Sequence, residues 1–183
     1  MRLPRTFTAG AAVVALASLT GCGGGEADAG SGGKSLPKAK DVASMERFVS
    51  QYATCRDVET ELPQYSPMRK EFEDLPKDAG AGVKEQAYCK SEGGPIAMLT
   101  LADMKKFQQA LKANEAAGKD RFAVALVGAD FAVVPTAGDT TNALKSSGLL
   151  VASCSATYNS KIPSGYTKRD GAVEGCVTTD YIP

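Results

Sequence analysis

Four cysteines, Cys55, Cys89, Cys154 and Cys176, stand beyond residue 40, and a fifth, Cys22, stands apart near the N-terminus. Four thiols in an exported chain can pair completely into two disulfides. No two of them are spaced C-x-x-C, which argues against a zinc site or a thioredoxin-like redox pair. The chain also has no histidine, so there is no base of the usual kind to activate a thiol. Three connectivities are open. The expectation is the pairing nearest in sequence, Cys55–Cys89 and Cys154–Cys176. In the chain-entropy picture, loops of that size stabilise by roughly 3–4 kcal/mol each.

This reading needs an oxidising compartment, and the first residues supply a reason to expect one. Met1-Arg2-Leu3-Pro4-Arg5 is a short basic leader, and Phe7 to Leu19 is almost wholly apolar or small. As a helix, that run would extend roughly 20 Å. This is too short for a hydrocarbon core of about 30 Å, and it suits the hydrophobic region of a signal peptide.

The run ends in Leu19-Thr20-Gly21-Cys22. This resembles the lipobox of bacterial lipoproteins: an aliphatic residue, two small residues, then cysteine. The resemblance implies a diacylglycerol on the Cys22 sulfur and cleavage between Gly21 and Cys22. It also implies, in many bacteria, acylation of the new amino group. Two acyl chains are the number needed for stable anchoring. The competing reading is ordinary signal-peptidase cleavage after Ala15-Leu16-Ala17, an A-x-A match that would leave Cys22 as an unpaired thiol. The lipobox reading puts residues 1–21 in a signal peptide. It places the mature protein at the extracytoplasmic face of the cell membrane, held through the lipid on Cys22.

Residues 22–39 are rich in Gly and Ser, a composition that forms no core and behaves as flexible coil, with a reach of roughly 20–24 Å. Asp28 to Ser35 spells DAGSGGKS and nearly matches a phosphate-binding loop. Asp28 occupies the place of the first glycine, however, and no strand precedes the run. Ser31-Gly32-Gly33-Lys34 matches S-x-x-K, but a solvated tether gives the lysine no burial to lower its pKa.

The remainder, 40–183, has the composition of one globular domain. The full chain carries 21 basic and 21 acidic residues, and removal of a leader holding Arg2 and Arg5 leaves a slight acidic excess. That is not the surface of a nucleic-acid binder. The lack of histidine removes Ser-His-Asp and Cys-His catalysis and histidine metal ligation, and no cofactor is expected.

Val42, Met45, Val49 and Tyr52 recur at helical spacing behind a candidate cap, Asp41, and predict a helix over 41–55. Residues 57–77 are acidic and broken by prolines, with room for a short helix at 67–75. The carboxylates Glu71, Glu73 and Asp74 lack the calcium-loop spacing. Residues 84–90 and 95–101 read as a hairpin. Thr100 to Asp103 suggests a capping box before a helix over 102–117 that ends at Gly118. A second hairpin spans 121–127 and 131–134. A helix follows from the Asp139-Thr140 cap to about Ser147, and then a strand over 149–153. The polar tail carries Tyr158, Tyr166 and Tyr181 and suits a small hairpin closed by Cys154–Cys176.

Hairpins alternating with helices predict an α+β fold: an antiparallel four- to five-stranded sheet with helices packed on one face and two disulfides. The element order and cysteine placement look like small exported lipoproteins of Gram-positive bacteria. Three functions fit such a chain. The leading one is a monomeric, non-catalytic binding or interaction module at the cell surface. It would meet an unknown protein or cell-envelope ligand through the open face of the sheet or the tyrosine-bearing tail. The alternatives are a small solute-binding lipoprotein and a cell-envelope enzyme built on a buried carboxylate pair.

Overall fold

The computed structural model describes residues 35–62, 66–119 and 124–182, all within a compact unit spanning Lys34–Pro183. The signal peptide, the lipobox with Gly21 and Cys22, and all of the proposed tether before Ser35 lie outside the described residues.

Helix α1 (Val42–Val49) opens the domain. Asp41 caps it by accepting a hydrogen bond from the Ser44 amide, and the Ser44 hydroxyl returns the contact to the Asp41 backbone. The helix is shorter than the predicted 41–55, because residues 50–55 turn to bring Cys55 to strand β1 (Arg56–Glu59). A short helix α2 (Met68–Glu71) lies inside the predicted 67–75. Strands β2 (Val83–Lys90) and β3 (Ile96–Leu101) form the first hairpin, and α3 (Met104–Ala116) follows. β4 (Ala125–Val127) and β5 (Phe131–Pro135) form the second, followed by α4 (Gly138–Lys145) and β6 (Leu150–Ser153). The tail contributes α5 (Ala156–Asn159), β7 (Lys168–Asp170) and β8 (Val177–Thr179).

Among the described residues the strands join one antiparallel sheet of eight, in the order β1-β2-β3-β5-β4-β6-β8-β7, and not the four or five predicted. The extra strands are β1, too polar to show as apolar alternation, and the expected tail hairpin of β7 and β8, which joins the main sheet through β6. β1 reads Arg-Asp-Val-Glu and β7 reads Lys-Arg-Asp. They form the two outer edges, where charged side chains discourage pairing with another chain. Asp57 adopts a left-handed φ of 54° beside the irregular register of β1, a conformation aspartate tolerates better than most residues.

The helices do not share one face, which corrects the second part of the prediction. Every residue of β3 and β5 is buried, so both faces of the sheet centre need cover. Phe107 and Leu111 of α3 pack with Phe72 over Leu99, Ala132 and Val134. Met45 and Val49 of α1, with Leu144 of α4, pack on the opposite side over Met98, Phe131 and Val133. Continuous apolar runs of this kind mark strands buried on both sides. The centre of the sheet is therefore covered on both faces, while the outer strand β7 stays exposed along its length.

Two expected caps move as well. Thr100 is buried in β3, paired across to Phe131, and Asp103 caps α3 through the Lys106 amide. The cap position of α4 is Ala137, with Asp139 inside the first turn.

The chain enters the domain as a strap over the β4–β5 turn. The Ala129 amide donates to the Pro37 carbonyl, and the Ala39 amide donates to Asp130 Oδ1, both at 2.8 Å. Gly128 permits this approach: a Cβ there would stand 2.6 Å from the Pro37 carbonyl oxygen and 2.2 Å from Phe131 Cε1.

Cys55 pairs with Cys89 and Cys154 with Cys176, at Cα separations of 5.2 and 3.9 Å. The register places both pairs at the end of the sheet opposite the strap. Cys89 faces Ile96, which faces Pro135, while Cys154 and Cys176 flank the Ser153–Val177 pair.

Candidate functional site

The three tyrosines of the tail are brought together by the loop that Cys154–Cys176 closes. Ser155 caps α5 by accepting from the Tyr158 amide. This fixes Tyr158, whose hydroxyl donates to the Tyr181 carbonyl at 2.5 Å. Burial, with the neighbouring Tyr181, pushes the Tyr158 hydroxyl pKa up to about 12. Tyr181 sits two residues beyond β8, its amide donating to Thr179 Oγ1. The next residue back, Asp180, accepts from both the amide and the hydroxyl of Thr167, at 2.7 and 3.2 Å.

That clamp holds Tyr166 edge-on against Tyr181, with ring centroids 5.1 Å apart and planes at 73°. The Tyr158 ring lies 6.0 Å from that of Tyr181, tilted by 46°. Lys145, at the last turn of α4, places its Nζ 5.5 Å from the Tyr166 ring centre, in cation–π range. Tyr166 is 44% exposed, and among the described residues it is the large apolar side chain left open to solvent. An aromatic ring held in place by two neighbours loses little freedom on contact, which is why tyrosine is common in recognition surfaces.

A cleft of about 220 Å³ lies on the other side of Tyr158, between α3 and β6, lined by Leu111, Glu115, Ser153 and Ser155 among others. The acidic segment does not converge on a centre. Asp57 pairs with Lys90 at 3.0 Å in solvent, and Glu59 keeps one buried oxygen without a hydrogen-bond partner. Among the described residues, no group of three cysteines or carboxylates is placed to hold a metal ion. No described helix is long and apolar enough to cross a membrane.

Of the predicted site residues, the structure places the four domain cysteines at disulfide distance, while Cys22 and Gly21 fall outside the described residues. The tyrosines were visible in the sequence as a dotted tail. Lys145 was not: it belongs to a different element, and only the fold brings it over Tyr166. No family model, curated protein or solved structure matches the chain.

Proposed function

We propose that this chain is a bacterial lipoprotein, anchored by lipid on Cys22 to the extracytoplasmic face of the cell membrane. Its domain serves there as a non-catalytic interaction module. The anchoring reading rests on Leu19-Thr20-Gly21-Cys22 directly after a short apolar run. The interaction reading rests on Tyr166, an exposed ring held between Tyr181 and Lys145. The tyrosine-bearing tail, which presents Tyr166 to solvent, serves as the contact surface, and its partner is a protein or cell-envelope ligand.

Mass spectrometry of the mature N-terminal peptide tests the anchor: the expected peptide begins at Cys22 and carries acyl chains. An unmodified peptide beginning at Ser18 would overturn it. A photo-cross-linking residue at position 166 in intact cells tests the contact surface. The expected product is an adduct that the same residue at exposed Glu92, on the β2–β3 loop, does not give. Equal labelling at both sites would remove the tyrosine patch as the contact.

A further inference from the structure

The two disulfides close very different loops. Cys55–Cys89 encloses Phe72, Leu75, Ala81, Val83 and Ala87, all buried, so that segment is held by packing as well as by the bond. Cys154–Cys176 encloses α5 and β7, and no residue between 155 and 175 is buried. Polar ties hold this second loop. Thr167 donates to Asp180, Tyr158 to the Tyr181 carbonyl and Asn159 to the Gly175 carbonyl, and β7 pairs with β8. A segment with such ties and no fully buried side chain sits at the low end of local stability. The same loop carries Tyr166.

The bond that closes it is placed for exchange. Cys154 directly follows β6 and Cys176 directly precedes β8, and the pairing of Ser153 with Val177 sets the two cysteines face to face. Cys176 is 3% exposed. Cys154 is partly exposed and forms part of the wall of the cleft between α3 and β6. An incoming thiolate therefore meets Cys154. The Gln108 carbonyl oxygen lies 3.4 Å from Cys154 Sγ, where it accepts from the thiol once the bond is open. Cys89, by contrast, is fully buried in the interior strand β2.

We infer that Cys154–Cys176 is a redox latch on the contact surface, opened by a dithiol, and that the opened loop no longer presents Tyr166 as a fixed ring. This deepens the contact reading above, as the regulation of that surface, and rests on it. One thiolate of the dithiol attacks Cys154 Sγ and forms a mixed disulfide, while Cys176 leaves as a thiolate and takes a proton from water. The second thiol of the dithiol loses its proton and attacks the dithiol sulfur of the mixed disulfide, and Cys154 leaves and is protonated. The dithiol ends as a disulfide, its two electrons having passed to the protein. A loosened loop must be ordered again on contact, which weakens binding.

Dithiothreitol at neutral pH, added to the full-length acylated protein, is the probe. Free thiols are alkylated at intervals and mapped by mass spectrometry. The expected result is opening of Cys154–Cys176 while Cys55–Cys89 is still joined. Glutathione, a monothiol, should leave its mixed disulfide on Cys154. In the selectively opened protein, amide exchange across 155–175 should rise roughly a hundredfold, the freedom that a loop of this span regains in the chain-entropy model. Exchange in β2, β3 and β5 should not change. The cross-linking residue at position 166 should lose its adduct on opening and regain it on reoxidation. Replacement of Cys154 and Cys176 together by alanine should give no adduct without any reductant.

If both disulfides open together, or Cys55–Cys89 opens first, the latch is overturned. Selective opening that leaves exchange across 155–175 unchanged overturns it too. So does an adduct at 166 that survives opening, a result under which the contact surface itself stands. If position 166 gives no adduct in the oxidised protein, the contact reading falls, and a latch upon it falls whatever the order of opening.

Discussion

The Gly128 Cα hydrogens face the Pro37 carbonyl so closely that a methyl group would overlap it, at 2.6 Å. The first residues of the domain are thus packed into the second hairpin, and the β4–β5 turn depends on them. Gly128→Ala should destabilise the protein by about 1–3 kcal/mol, the usual cost of overpacking, because Phe131 and the strap must both move. Gly138→Ala is the control, since nothing lies within 4 Å of its added Cβ. It should be neutral or stabilise by a few tenths of a kcal/mol to about 1. Urea denaturation of the two variants checks the contrast through the midpoint.

The disulfide pairing yields a covalent prediction. Non-reducing peptide mapping should recover Cys55 linked to Cys89 and Cys154 linked to Cys176. Replacing Cys154 and Cys176 together by alanine should cost about 3 kcal/mol in the chain-entropy model. It should also free the loop carrying α5 and β7, so limited proteolysis should cut that loop first. A Cys55–Cys154 peptide would refute the pairing.

Alkaline pH should weaken the tyrosine cluster. The folded-state pKa of Tyr158 is pushed up to about 12, above its ordinary value near 10. A raised folded pKa means that the unfolded chain gives up the proton first. Its stabilisation is complete below about pH 10 and is lost as pH rises toward 12. The phenolate can no longer donate to the Tyr181 carbonyl. Tyr158→Phe should be less stable than wild type at pH 7, by about 1 kcal/mol for the lost hydrogen bond. The gap between them should close through pH 10–12, as followed by denaturant titration at each pH. A gap independent of pH would mean that Tyr158 is not held as described.

Asp103→Ala tests which residue starts α3. Loss of its side-chain acceptor for the Lys106 amide should cost about 1 kcal/mol. Thr100→Val, with a methyl in place of the hydroxyl, leaves that cap intact. Its effect should come only from the long 3.5 Å contact of Thr100 Oγ1 to the Glu85 carbonyl. Equal losses by thermal unfolding would return the cap to Thr100.

How far the sequence spoke for the fold can be followed element by element. The β2–β3 hairpin and α3 were legible, because apolar spacing and a glycine-containing loop mark them locally. β1 was not: an edge strand needs backbone pairing on one side only, so Arg56 and Asp57 leave no alternating pattern, and the hairpin expected in the tail, β7 with β8, was legible from the polar tail without its strand bounds. The two-sided core was present in the apolar runs of β3 and β5, which read as strands but not as strands covered twice. The strap was silent because its bonds run from backbone groups of Ala129 and Ala39 to residues far away in sequence. The tyrosine patch was half legible. Tyr158, Tyr166 and Tyr181 stand out in the tail, but Lys145 joins them only through the packing of α4 on the sheet at β5.

Cys55–Cys89 has a mechanical consequence for a chain tugged from its N-terminal side. Tension applied at residue 35 first loads the Pro37 and Ala39 hydrogen bonds, then unwinds α1 turn by turn. The peeling stops at Cys55, which is welded to an interior strand of the sheet. The slack released before that stop is about 20 residues, or roughly 70 Å fully drawn out. The domain therefore pays out a fixed length of line under load, while the eight strands behind the weld keep their pairing.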